Sequence, residues 1–477
     1  MSDGGALTCP RDGTSTRLTC VECQTPICPK CSVRTPVGLK CPDHATAPGT
    51  AGRPRRGGRR SRLGLALLAT VAVAGGVYAV QRLGVSEPAA FPCPTQTSPD
   101  VGIGPESRGT SWSELARSPL CGRFLAASAW TGAELLVWGG QSCAGERCPI
   151  DRAPRLADGA AYDPEHNRWR RMADSPLEAR DSPASVWTGR ELVVWGGTGA
   201  SGIALADGAA YDPARDRWRP VAASPLSARS RPGAVWTDQE VLVWGGSGGP
   251  DGARYDPDAD RWEPLPAVAT PAWASPSAVW TGSEMVVVAS ADGDGLVPVE
   301  SRAYDPGRNT WRILARPPLG LRDAPAAVWT GGELVVWGGY AGEEDRYLDD
   351  GAAFNPATNT WRPLPPAPVA PRSDMLAVWT GAEMLVWGGL GHPDPSEDRP
   401  GLSRTSPFRD PTATVPLADG AAYDPATGRW RAIEGTSLLA RAYPLGAWDG
   451  RRLLVWGGIT LVDSIASAAD GARHTPN

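Results

Sequence analysis

The feature that most constrains this chain is a recurring tryptophan. Trp130, Trp187, Trp236, Trp280, Trp329, Trp379 and Trp448 each precede a Thr-Gly or equivalent turn, at spacings of 57, 49, 44, 49, 50 and 69 residues. A sequence that repeats on this scale builds one supersecondary unit over and over, and each unit can bury its apolar face only against its neighbours. Around each Trp the pattern is the same. An apolar strand ends in the Trp, a turn such as Thr131-Gly132 follows, and a second apolar strand ends Val-Trp-Gly-Gly, as from Leu135 to Gly140. After a connection of variable length comes Asp-Gly-Ala-Ala-Tyr-Asp-Pro, as from Asp158 to Pro164, where the proline is pre-set for a turn and cannot continue a ladder. A fourth strand then opens with a tryptophan such as Trp169.

Four strands per unit at this period predict an all-β fold, a seven-bladed β-propeller over residues 111–477. All 21 tryptophans fit it: seven end first strands, six end second strands, seven open fourth strands, and Trp273 is one extra. The same count suggests how the ring closes. Trp112 opens a fourth strand with no first three before it, and the last unit, through Asp470-Gly471-Ala472, lacks a fourth. The strand at Trp112 is therefore expected to complete the last blade and remove an exposed sheet edge. Six blades with unpaired ends is the alternative.

The Gly-Gly after the second strand, with Tyr and Trp at fixed offsets, resembles the kelch repeat over about three quarters of the chain. The resemblance implies a scaffold for binding. Some kelch-like propellers are enzymes, including galactose oxidase, whose copper site needs two His and two Tyr, one Tyr linked to Cys. Here, beyond His44, the histidines are His166 in a turn, His392 in a long loop and His474 at the place of a core Tyr, with no metal spacing among them. No serine nucleophile motif or phosphate loop is present. The enzymatic alternative is a carbohydrate-active enzyme of sugar mutarotase or epimerase type, using an Arg and a carboxylate as binder and acid or base.

Because strands in a blade alternate in direction, first-to-second and third-to-fourth turns share one face and second-to-third loops share the other. The turns are nearly uniform, whereas the loops over 141–157, 247–250, 340–349 and 390–418 differ in length and character, and recognition is expected on their face. Seven residues before the first-strand Trp stand Arg123, Arg180, Arg229, Arg322, Arg372 and Arg441, with Trp273 in the fourth unit. Asp158, Asp207, Asp251, Asp350, Asp419 and Asp470 start the third strands at the same end. Structural Arg-Asp pairs repeated by symmetry are the favoured reading. The competing one is a ligand-binding Arg ring for carboxylates or acidic sugars.

The chain ahead of the repeats divides in four. Residues 1–48 carry four pairs of possible metal ligands at two-residue gaps: Cys9 and Asp12, Cys20 and Cys23, Cys28 and Cys31, Cys41 and His44. Such knuckles suit tetrahedral zinc, and eight donors make two structural ions with no open position for substrate. The stretch resembles the B-box type of cross-braced zinc finger. That resemblance implies Cys9, Asp12, Cys28 and Cys31 on one ion and Cys20, Cys23, Cys41 and His44 on the other, and a protein-interaction role. Asp12 departs from the His or Cys usual there, and a solvated turn residue is the other reading. An Arg-rich segment, 49–62, precedes an uncharged apolar run, 63–81, long enough to cross a bilayer as one helix. Six arginines before it and Arg82 alone close behind place the N-terminus in the cytoplasm and the propeller outside. A cleaved signal peptide is the alternative. Residues 82–110 read as a Pro/Gly/Ser-rich linker.

Charge and the remaining cysteines fit this division. The net charge of -5 separates into a basic head, with 11 Arg/Lys against 4 Asp/Glu over residues 1–62, and an acidic remainder with 36 against 48. An acidic body argues against nucleic acid as its partner. Cys93, Cys121, Cys143 and Cys148 lack metal spacing and can form disulfides outside the cell, Cys143 with Cys148 and Cys93 with Cys121 being one arrangement. The chain is thus expected to be a single-pass cell-membrane protein that binds a protein or glycan ligand outside the cytoplasm.

Overall fold

The computed structural model describes residues 111–143, 153–268, 275–289, 300–392 without 343, and 413–476 without 434, 437 and 463, with four short strands in the first 40 residues. The chain separates into two compact units, Met1–Ser86 and Glu87–Asn477. In the first, Leu7–Thr8 pairs with Ser15–Thr16, and Val33–Thr35 with Gly38–Lys40, both antiparallel. The eight expected zinc ligands and the apolar run 63–81 lie outside the described residues. Among the described residues there is no helix, so none long and apolar enough to cross a membrane.

The second unit contains seven four-stranded antiparallel sheets among the described residues. Sheet 1 consists of Ala127–Trp130, Leu135–Trp138, Gly159–Asp163 and Arg168–Arg171. Sheets 2 to 6 repeat this order from Ala184–Trp187, Gly233–Trp236, Ser277–Trp280, Ala326–Trp329 and Leu376–Trp379. Sheet 7 takes three strands from the C-terminal end, Leu445–Trp448, Leu453–Trp456 and Gly471–His474. Its fourth is Trp112–Glu114, with Trp112 opposite His474 and Glu114 opposite Ala472. The first strands neighbour one another in sequence order, and Leu445–Trp448 returns to Ala127–Trp130, so the cycle closes.

Local chemistry accounts for the repeat. In sheet 1 the Thr131 hydroxyl accepts a hydrogen bond from the Glu134 N–H at 2.8 Å, while Gly132 takes φ of 95° and turns the chain. The second strand, Leu135–Trp138, is wholly buried. Ala160 and Ala161 of the third strand are fully buried too, small residues where packed layers approach closely.

Neighbouring sheets are held by tryptophan pairs. The second-strand Trp of one sheet meets the fourth-strand Trp of the next, Trp138 with Trp218, Trp195 with Trp262, Trp244 with Trp311, Trp337 with Trp430, Trp387 with Trp112 and Trp456 with Trp169, at centroid distances of 5.2–5.8 Å. These are favourable tilted aromatic contacts. Fourth-strand indoles also donate across the seam, Trp218 to the Ala173 carbonyl and Trp262 to that of Ala222, both at 3.0 Å. Sheet 4 has Val288 where the others place the second-strand Trp, so its seam with sheet 5 lacks this pair.

Candidate functional site at the loop-bearing end

The six repeated arginines sit inside the sheets. Each is buried, with at most 5 % of its surface exposed. Nη1 of Arg123, Arg180, Arg229, Arg322, Arg372 and Arg441 donates to the carbonyl of the first glycine of its own Gly-Gly, at 2.9–3.2 Å. The same nitrogen reaches the backbone carbonyl of the third-strand Asp at 2.9–3.3 Å, and that residue's carboxylate lies 2.8–3.2 Å from the guanidinium. The Nε of Arg123 is taken by the Cys121 carbonyl. Donors consumed within the sheet are what a structural Arg-Asp pair requires.

The Gly-Gly step serves the same junction. Gly139 and Gly140 both have positive φ, and a Cβ on either would lie under 3 Å from a backbone oxygen, Arg180 O or Phe124 O. The freed backbone links the sheets, because the Gly140 N–H donates to the Arg180 carbonyl at 2.8 Å, and Gly458 closes the cycle on Arg123 at 2.8 Å. In sheet 4 Glu300 instead pairs with Arg302 at 2.9 Å.

Two residues beyond each arginine the chain takes an unusual conformation. Leu125, Ser182, Arg231, Ala324, Asp374 and Tyr443 all have φ between 46° and 54°. This left-handed region is disfavoured for side chains with a Cβ. Ser182, Arg231, Ala324 and Tyr443 also precede proline, which ordinarily drives the residue before it to extended geometry. The conformation is held by bonds from sheet to sheet: Ser182 N–H to Leu125 O at 2.8 Å, Arg231 N–H to Ser182 O at 2.9 Å, Asp374 N–H to Ala324 O at 3.2 Å, and Tyr443 N–H to Asp374 O at 3.0 Å. Strain over-determined in this way tends to collect at binding sites.

These residues, with Ser275, line a cavity of 540 Å³ at the end of the first-strand cycle where the second-to-third connections lie. Tyr340, Tyr347 and Leu390, from those connections in sheets 5 and 6, complete its wall. The positions repeat in backbone but not in side chain. Tyr340 packs on Tyr347 at 5.1 Å, and the Tyr340 hydroxyl donates to Asp345 at 2.6 Å. Tyr443 lies 6.0 Å from Phe124, and burial pushes its phenol up from the ordinary value. Asp374 receives the Ser373 hydroxyl at 2.6 Å; burial pushes its carboxyl up to about 6, with Arg231 opposing. Arg231 is exposed, and among the described residues no carboxylate reaches its guanidinium within ion-pair distance.

The Kelch motif matches residues 322–368, which run from the buried Arg322 through all of sheet 5. The motif and the strand-rich structure support a kelch-repeat β-propeller. No curated protein matches the chain. Proteins built on kelch repeats are generally protein-binding scaffolds rather than enzymes.

The arginine before six of the seven first strands stands out in the sequence, whereas the residue two places on does not. A signal is present there, since the position two beyond the arginine, or beyond Trp273 in the fourth unit, holds Leu, Ser, Arg, Ser, Ala, Asp and Tyr in turn. Of the cysteines, Cys121 and Cys143 are each disulfide-bonded, while Cys93 and Cys148 lie outside the described residues. Among the described residues no cluster of His, Cys, Asp or Glu is placed to hold a metal ion. His166 pairs with Asp163 in an exposed turn, His392 lies edge-on to Tyr347, and His474 stacks on Trp112.

Proposed function

We propose that this chain is a seven-bladed kelch-type propeller that recognises a protein or glycan ligand outside the cytoplasm through its loop-bearing end. The observation that carries the reading is the contrast between its two kinds of repeated position. The repeated arginines, the Gly-Gly steps and the second-strand tryptophans are buried within the scaffold, whereas the six positions two residues beyond those arginines share a left-handed backbone at the cavity and carry six different side chains. Variation on a fixed frame is how a repeated scaffold acquires specificity.

The remainder of the proposal rests on sequence. The run 63–81 would carry the propeller across the membrane with the N-terminus in the cytoplasm, and the disulfide-bonded Cys121 and Cys143 accord with an oxidising compartment. The module over 1–48 would bind two structural zinc ions through Cys9, Asp12, Cys28 and Cys31 and through Cys20, Cys23, Cys41 and His44, and would serve a cytoplasmic protein partner. Metal analysis of the full chain would then give two zinc ions per chain; a single ion would remove the Asp12 site.

Photocrosslinking tests the recognition claim. A photoreactive residue replacing Tyr340, at the loop-bearing end, should capture a protein partner on intact cells. One replacing Glu165, in an exposed third-to-fourth turn, should not. Capture from Glu165 alone would place recognition on the wrong end of the molecule.

A further inference from the structure

The cavity carries two opposite charges that make no direct ion pair with each other. Arg231 enters from sheet 3 and Asp374 from sheet 6, three places apart in the cycle and so on opposite sides of its axis. They are not within ion-pair distance. The one hydrogen bond to the Asp374 carboxylate among the described residues comes from its neighbour Ser373, which leaves acceptor capacity for a ligand. Tyr443, Tyr347 and Tyr340 line the same cavity as Asp374, and aromatic faces favour an adjacent cation.

We propose that this cavity binds a small zwitterion of di- or tripeptide size, its carboxylate on Arg231 and its ammonium at Asp374 among the tyrosine rings. A singly charged ligand fits less well. A lone carboxylate on Arg231 would share the cavity with Asp374 and Asp323, and a lone amine at Asp374 would share it with Arg231. A ligand with its charges at opposite ends satisfies both walls at once. The volume of 540 Å³ falls within the roughly 300–1,000 Å³ of small-molecule sites. The frame is also pre-organised. Arg231 and Asp374 are fixed through their own backbone bonds to neighbouring sheets, so little ordering is left for binding to impose.

This inference rests on the recognition reading of the loop-bearing end, and the two can fail separately. Calorimetric titration of the full chain with trialanine, N-acetyl-trialanine and trialanine amide separates the contributions of the two termini. Trialanine should bind, and each capped form should bind about tenfold more weakly or worse. Arg231→Gln should abolish the difference between trialanine and its amide, and Asp374→Asn the difference between trialanine and its acetylated form. Both replacements keep a polar side chain at the cavity wall. Equal binding of all three peptides, or binding of glucuronate in place of trialanine, would overturn the zwitterion assignment. Absence of peptide binding with the Tyr340 crosslink intact would sink the ligand class and leave partner recognition standing. Absence of both would remove the wider reading as well.

Discussion

Trp112 stacks on His474, with ring centroids 4.7 Å apart and the planes 30° from parallel, so the start of the propeller is packed against its end. In the other sheets a third-strand aromatic meets the fourth-strand Trp in the same place, as Tyr162 meets Trp169 at 5.0 Å. Trp112 is also the partner of Trp387 in the adjoining sheet. Replacing it with alanine removes two aromatic contacts from the strand that completes sheet 7. Trp112→Ala should lower unfolding stability by about 3–5 kcal/mol in urea titrations. A loss below about 1 kcal/mol would show that the ring does not depend on this closure.

The seam between sheets 4 and 5 lacks the tryptophan pair that the other seams share, because Val288 stands in place of the second-strand Trp. Local opening should begin where interfacial packing is poorest. Native-state hydrogen exchange should therefore find the amides of Met285–Ala289 less protected than those of Leu192–Trp195, the equivalent strand of sheet 2. Equal protection of the two strands would mean the missing ring is compensated elsewhere.

Asp374 makes stability depend on pH. Its carboxyl is raised to about 6 by burial, against an ordinary value of 3.8, so between those values the folded chain holds a proton that the unfolded chain has released. Stability must then fall as pH rises through that window. Asp374→Asn removes the titrating group, and its stability relative to the natural chain should increase from pH 3.5 to pH 7 by on the order of 1–3 kcal/mol. Unfolding titrations at the two pH values check this. A difference independent of pH would show that Asp374 is solvated like any surface aspartate.

The strand pattern was legible because it depends on local rules: the Thr-Gly turn, the Gly-Gly at positive φ, and a tryptophan at each packed strand end. Even the pairing of Trp112 with the C-terminal strand could be read, since counting tryptophans exposes an incomplete unit at each end. The arginines were visible as a repeat, but their role required distances, for a buried Arg with its donors satisfied looks in sequence like an Arg that waits for an anion. The cavity was harder still. It gathers one residue from each of several distant units, and Arg231 and Asp374 face one axis only because the strands close into a cycle.

Six repeated arginines hold the scaffold while Arg231 faces the cavity, and parallel urea unfolding of Arg180→Met and Arg231→Gln, with crosslinking from Tyr340 in each, tests that division most directly. Arg180→Met leaves the Gly196 and Asp207 carbonyls without their buried donor and should cost about 3 kcal/mol or more. Arg231→Gln should change stability by no more than about 0.5 kcal/mol while weakening capture from Tyr340. The reverse outcome, Arg180→Met stable but unable to bind and Arg231→Gln unfolded but otherwise competent, would contradict it.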